Sequence, residues 1–138
     1  MVFRTLKGHE RDISTTRYKI KWDPKREVSS WQAATKRFLR PYWEHDIVFE
    51  EFRIPGAGKL RVDLINVNKA VVVEVSPESS HSFNAFFHQG SLNRFKDALK
   101  RDLKKAKWAT DSGFTYVELT ETDFPLTEAA FARQGVIL

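Results

Sequence analysis

Apolar and polar residues alternate through "DIVFEEFRI", residues 46–54, with the period of a half-buried strand. "PGAG" supplies a turn, and two more apolar runs, 59–65 and 70–76, predict a second and a third strand. Ahead of them, "DPKREVSSWQAATKRFLRPYW" reads as a helix with Asp23 as N-cap and Pro24 at the first helical position. Val28, Trp31, Phe38 and Leu39 share one face of it, with Thr35 between, and Pro41 is expected to stop it. Farther on, Leu92, Phe95, Leu99, Leu103 and Ala106 repeat at helical spacing, and "DSG" closes that helix with Gly113 in a left-handed cap. "FTYVEL" alternates as a strand and "TEAAFARQG" reads as a short terminal helix. "RYKIKW" alternates as a further short strand, and 77–90 is irregular. The order of helix, three strands, helix, strand and helix predicts an α/β domain: a mixed central β-sheet flanked by helices.

The 138 residues suffice for one core, and no repeat, low-complexity tract or linker divides them, so 1–138 reads as a single domain. Residues 1–17 lack a clear period, which leaves open a basic N-terminal arm or an edge element. Hydrophobic residues at 41% and charged residues at 30% exclude a disordered chain. The absence of Cys excludes disulfides and thiolate metal sites. The first residues carry no apolar signal core, and the longest aliphatic run, 70–73, is far too short for a membrane span. The expectation is a cytoplasmic, intracellular protein without membrane contact.

Charge adds a partner. The formal net charge is +5. The stretch 91–108 holds Arg94, Lys96, Lys100, Arg101, Lys104, Lys105 and Lys107 against Asp97 and Asp102, an excess as large as that of the whole chain. A field so concentrated points to a polyanion, most simply nucleic acid, although a Lys-rich helix is also an ordinary solvated face.

Candidate chemistry lies in the second and third strands, where Asp63 and Glu74 interrupt Leu, Ile and Val. A lone carboxylate on a half-buried sheet face is costly unless something pairs with it. A tight turn at Val67 and Asn68, or a four-residue loop joining Ile65 to Ala70, sets Asp63 opposite Val72 and Glu74 opposite Arg61. The two acids are then diagonal neighbours on one face, their Cα atoms roughly 7–8 Å apart. A three- or five-residue loop would send them to opposite faces. Converging carboxylates repel and raise one another's pKa unless a cation intervenes. The simplest such cation is a hard divalent metal, Mg²⁺ or Mn²⁺, which takes oxygen ligands and keeps waters for a phosphate substrate. Solvated acids at a sheet edge are the plainer reading of the same residues.

A turn, "VD", a hairpin and an apolar strand ending in Glu resemble the core of the PD-(D/E)XK nuclease superfamily over about 44–119. "IPG" before "VD", "VEVSPESSH", and "DLKKAKWATDSGFTYVEL" resemble most the branch of very-short-patch-repair endonucleases and phage-intron homing endonucleases. The resemblance implies a restriction-endonuclease-like core and a metal-dependent DNA endonuclease. It implies metal ligation by Asp63, Glu74 and the Val75 carbonyl, with His81 assisting proton transfer. It adds Glu51, the member of the "EE" pair chosen as an upstream acid, and Asp102 with Lys105 on the basic helix. Arg94, Lys96, Lys100, Arg101 and Lys104 would contact the DNA backbone. One position departs from the pattern: Ser76 stands where the superfamily usually has Lys. His81, Lys105 or Lys69 could replace that Lys, or activity could be lost. A non-catalytic DNA-binding module and a dimeric, structure-specific junction resolvase therefore stay open, the latter requiring a homodimer. Phe83, Phe86 and Phe87 read as core or interface before they read as base-stacking groups.

Overall fold

Residues 1–23, 30–76 and 92–138 are the described part of the computed structural model. Residues 1–17 begin as a small antiparallel hairpin, β1 (Val2–Arg4) and β2 (Glu10–Asp12). It is an edge element seated on the core: Phe3 is buried, its ring 4.7 Å from that of Phe52. "RYKIKW" forms no strand. It makes a single 3₁₀ turn, Thr16–Tyr18, and only Lys19 bridges to Phe49. The difference follows from Tyr18, which turns into the aromatic cluster and packs edge-on against Phe52 at 5.0 Å.

Helix α1 (Ser30–Trp43) buries Ala33, Thr35, Leu39 and Trp43. The expected start at Pro24 and the contribution of Val28 lie outside the described residues. Pro41 does not stop the helix but sits inside its last turn. A proline there forfeits one main-chain hydrogen bond. Trp43, wholly buried, draws the final turn into the core and offsets that loss.

Three strands follow, β3 (Val48–Arg53), β4 (Arg61–Asn66) and β5 (Val71–Val75); then α2 (Leu92–Asp111), β6 (Thr115–Leu119) and α3 (Glu128–Ala132). The sheet order is β3-β4-β5-β6. The first two pairings are antiparallel and the last is parallel, so the segment containing α2 is the crossover that a parallel pair requires. Among the described residues the architecture is a mixed α/β fold: a mixed four-stranded sheet, a two-stranded antiparallel sheet and three α-helices.

The sheet separates two cores. On one side α1 and α3 bring Leu39, Trp43 and Phe131 against Val48, Leu64, Val73 and Val117. On the other, Trp108 and Ala109 of α2 join Phe3, Tyr18, Phe49 and Phe52 over Ile65 and Val72. The predicted inward stripe of α2 is corrected at Leu99 and Leu103, which are exposed, Leu103 by 69%. The side chains of Leu92 and Phe95 lie outside the described residues; among those described on α2, Ala98, Asp102, Lys105 and Ala106 are partly buried and Trp108 and Ala109 are buried. Before Trp108 the covered positions are small or ionic, Ala98, Asp102, Lys105 and Ala106, so a search for large apolar side chains passes over them. Among the described residues no helix is long and apolar enough to cross a membrane.

Candidate active site

The β4–β5 ladder pairs Asn66 with Val71, Ile65 with Val72 and Leu64 with Val73. One step farther in the same register Asp63 faces Glu74. The connection is thus the four residues 67–70, with Ala70 in the left-handed region at φ 54°. The expected partners, Val72 for Asp63 and Arg61 for Glu74, are each displaced by two residues. A two-residue shift preserves the side-chain parity, so the acids meet directly rather than diagonally.

The strands part at this point. The Asp63 N–H donates to Glu74 Oε1 at 3.1 Å, and the Val75 N–H donates to Asp63 Oδ2 at 2.8 Å. Each carboxylate thereby satisfies a main-chain donor of the opposite strand, and the pair props the gap between the strands. The neighbouring ladder is interrupted too. β3 and β4 pair on both sides of Glu51 and Asp63 but not at that step, and Glu51 has φ 50°. The left-handed residue breaks the alternation of β3. Phe49 and Phe52, three apart, enter the same core, and Glu50 and Glu51 both reach α1 instead of opposite faces. Glu50 forms an ion pair with Lys36, while Glu51 accepts from Gln32 Nε2 at 2.8 Å. Gln32 also donates to Asp63 Oδ1 at 2.9 Å, so one amide ties Glu51 to Asp63.

Electrostatics follow from this packing. Burial, and then the neighbouring Asp63 charge, push the Glu74 carboxyl up to about 8, against the pull of Lys105. Burial also raises Asp63, opposed chiefly by the Val75 N–H. Lys105 Nζ stands 3.4 Å from Glu74 Oε2. Glu74 itself is only 5% exposed. Beside them Tyr116 has its phenol pKa raised by burial first and then by the Glu74 charge.

Asp63, Glu74 and Val75 are therefore together, with Glu51 held against Asp63 through Gln32 and Lys105 against Glu74. Asp102 lies half-buried on α2, lining a cleft of about 560 Å³ with Arg61, Ser76, Arg101, Lys104 and Lys105. Lys69 is removed from the site, its Nζ 3.4 Å from Asp46. Lys96, Lys100, Arg101 and Lys104 are exposed on α2. His81, the three Phe residues at 83, 86 and 87, and the side chain of Arg94 lie outside the described residues.

Gln32 is not among the residues the sequence singles out, and Arg61 enters there only as the position expected opposite Glu74. Arg61 Nε is 3.1 Å from Glu51 Oε2. An amide at Gln32, one turn before Lys36 on the same helix, is a signal only once α1 is known to lie over β3. Among the described residues no three His, Asp or Glu side chains gather as a metal cage. Two desolvated, mutually repelling carboxylates still fit Mg²⁺ or Mn²⁺, because Mg²⁺ commonly takes one or two carboxylates and completes its shell with water and substrate phosphate.

Comparison of the chain with protein-family models, with curated proteins and with solved structures finds no match.

Proposed function

We propose that the protein is a metal-dependent phosphodiesterase acting on DNA, an endonuclease of the PD-(D/E)XK type with a restriction-endonuclease-like core. One observation carries the reading: Asp63 and Glu74 face each other where two strands part, each bonded to the other strand's main chain. That arrangement buries two like charges at a cost in stability, and a divalent ion relieves the cost. Asp63, Glu74 and the Val75 carbonyl would hold it. When bound, the ion polarises the scissile phosphate and lowers the pKa of a water. Gln32 keeps Asp63 oriented through a donor that cannot change charge. Lys105, reaching from α2, places its ammonium beside Glu74 although Ser76 occupies the usual Lys position. In this reading Lys105 restrains Glu74 and offers a cation to the phosphate.

Asp63→Asn tests the proposal. It keeps the size of the ligand and removes its charge. With Mn²⁺, cleavage of plasmid or branched DNA is expected to fall by roughly three orders of magnitude or more, since metal activation contributes several kcal/mol of barrier lowering. DNA affinity in EDTA is expected to hold or tighten. Equal cutting by variant and parent would refute the assignment.

The Lys105–Glu74 ion pair also favours a second reading, a DNA-binding module in which the ammonium permanently replaces the metal. A parent protein that binds DNA and cuts neither DNA nor RNA with any divalent ion would select this one.

A further inference from the structure

A second cleft, of about 320 Å³, lies on the β3 side of the acids and is lined by Arg17, Lys19, Lys21 and Arg53 together with Glu50 and Glu51. The first cleft, on the α2 side, carries Lys59, Arg61, Arg101, Lys104 and Lys105 against the single acid Asp102. A chain of contacts joins the two through the acids: Lys105 of the first pairs with Glu74, Gln32 ties Asp63 to Glu51 of the second, and Glu51 pairs with Arg61 of the first. The acids that line the β3-side cleft are already engaged: Glu50 by Lys36, and Glu51 by Arg61 and Gln32. Among the described residues, no carboxylate lies within ion-pair distance of Lys19, Lys21, Arg53, Lys59, Arg101 or Lys104. Each of these six is exposed. The field over both clefts is therefore positive, and the Asp63–Glu74 pair is tied to a lining residue of each.

We propose that a DNA duplex lies across the acids in a two-sided cationic track. Lys59, Arg101 and Lys104 hold its phosphates on the α2 side, and Lys19, Lys21 and Arg53 hold them on the β3 side. A single phosphate group would need only one cleft. A DNA strand carries a charge every 3.4 Å or so along its axis and can occupy both. The orientation of the duplex rests on reading Asp63 and Glu74 as the scission centre. On that reading the scissile phosphate has bound neighbours in both directions, which is the arrangement for cutting inside a chain.

The test measures binding without cleavage. A fluorescein-labelled duplex of about 20 base pairs is titrated in EDTA over a range of salt concentrations, with fluorescence anisotropy as the readout. Lys19→Ala/Lys21→Ala/Arg53→Ala is compared with Lys59→Ala/Arg101→Ala/Lys104→Ala and with the parent. Each triple variant is expected to bind roughly tenfold or more weakly at moderate salt, and to lose about two to three units of salt slope. Each single substitution should lose about one unit, which keeps the test usable should a triple variant fold poorly. Lys7→Ala/Arg11→Ala, in the exposed hairpin outside both clefts, should match the parent. A β3-side triple variant with the parent's slope would overturn the track and confine the DNA to α2. A parent that binds no duplex would overturn it as well. Cleavage is scored separately: two-sided slope losses in a protein that never cuts would sustain the track and refute the nuclease reading.

Discussion

Glu74 is held by the fold in a state that its own charge opposes. Its carboxyl titrates near 4.5 in an ordinary setting and at about 8 in the folded protein. Between those values the folded state keeps a proton that the unfolded chain has released. The contribution to stability is therefore complete at acid pH and is lost as pH rises through the window, by up to about 1.4 kcal/mol per pH unit. Asp63 is displaced in the same direction. The metal-free protein is expected to show a urea midpoint that falls from pH 5 to pH 8.5. Glu74→Gln should flatten that profile and be the more stable protein at the alkaline end. A midpoint that climbs over the same interval would contradict the buried pair. At this scale the sequence disclosed the two acids, because charged residues stand out in an apolar strand. It hid their exact partners, because several loop lengths preserve the same parity. The Gln32 clamp was hidden as well, since it depends on where α1 crosses the sheet.

Strands and helices were legible wherever local pattern and burial agree, as in β5, β6 and the terminal helix, while β3 was legible as a strand but not in its alternation, which Glu51 breaks. They were misread where tertiary packing overrides the pattern. Tyr18 leaves a strand-like alternation to join an aromatic cluster, and Trp43 carries α1 past a proline. On α2 a leucine stripe faces outward while Asp102 and Lys105 turn inward, because the helix covers an acid site as well as a core. The β4–β5 connection is the element that decides the site, since it determines which residue faces Asp63. Ala70 holds a left-handed conformation there, which costs a residue with a Cβ roughly 1–2 kcal/mol. Ala70→Gly relieves that strain and gives part of the gain back through the freer unfolded chain. The expected net is up to about 1 kcal/mol of added stability, measured by urea denaturation with the denaturant slope unchanged. A loss of more than about 1 kcal/mol would show that the turn is not strained as described.

The molecule as a whole couples its charge to its stability. Ions that bind the folded state alone stabilise it, by about 2.7 kcal/mol at a hundredfold excess over Kd. For a domain of this size that is several degrees in melting temperature. Because metal ligands must be deprotonated, Mn²⁺ should raise the melting temperature of the parent more at pH 8.5 than at pH 6. Asp63→Asn should show little shift at either pH. A parent melt indifferent to Mn²⁺ and Mg²⁺ at pH 8.5 would remove the metal from the account and leave Lys105 as the permanent counter-ion. The overall +5 was visible in the composition, and its concentration on α2 was visible in the sequence. The cationic cleft on the β3 side was not, because Arg53 is distant in the chain from Lys19 and Lys21 and joins them only in the folded protein.

The hydrogen bonds that prop the strands apart make the main chain a witness to the site. The Asp63 amide proton lies against the Glu74 carboxylate and the Val75 amide proton against that of Asp63, so each amide resonance carries the charge of a different acid. In a nitrogen–proton correlation spectrum these two peaks would follow protonation and ion capture from inside the backbone, with no probe attached and no substrate present. The order in which they move would tell which acid gives up its proton first.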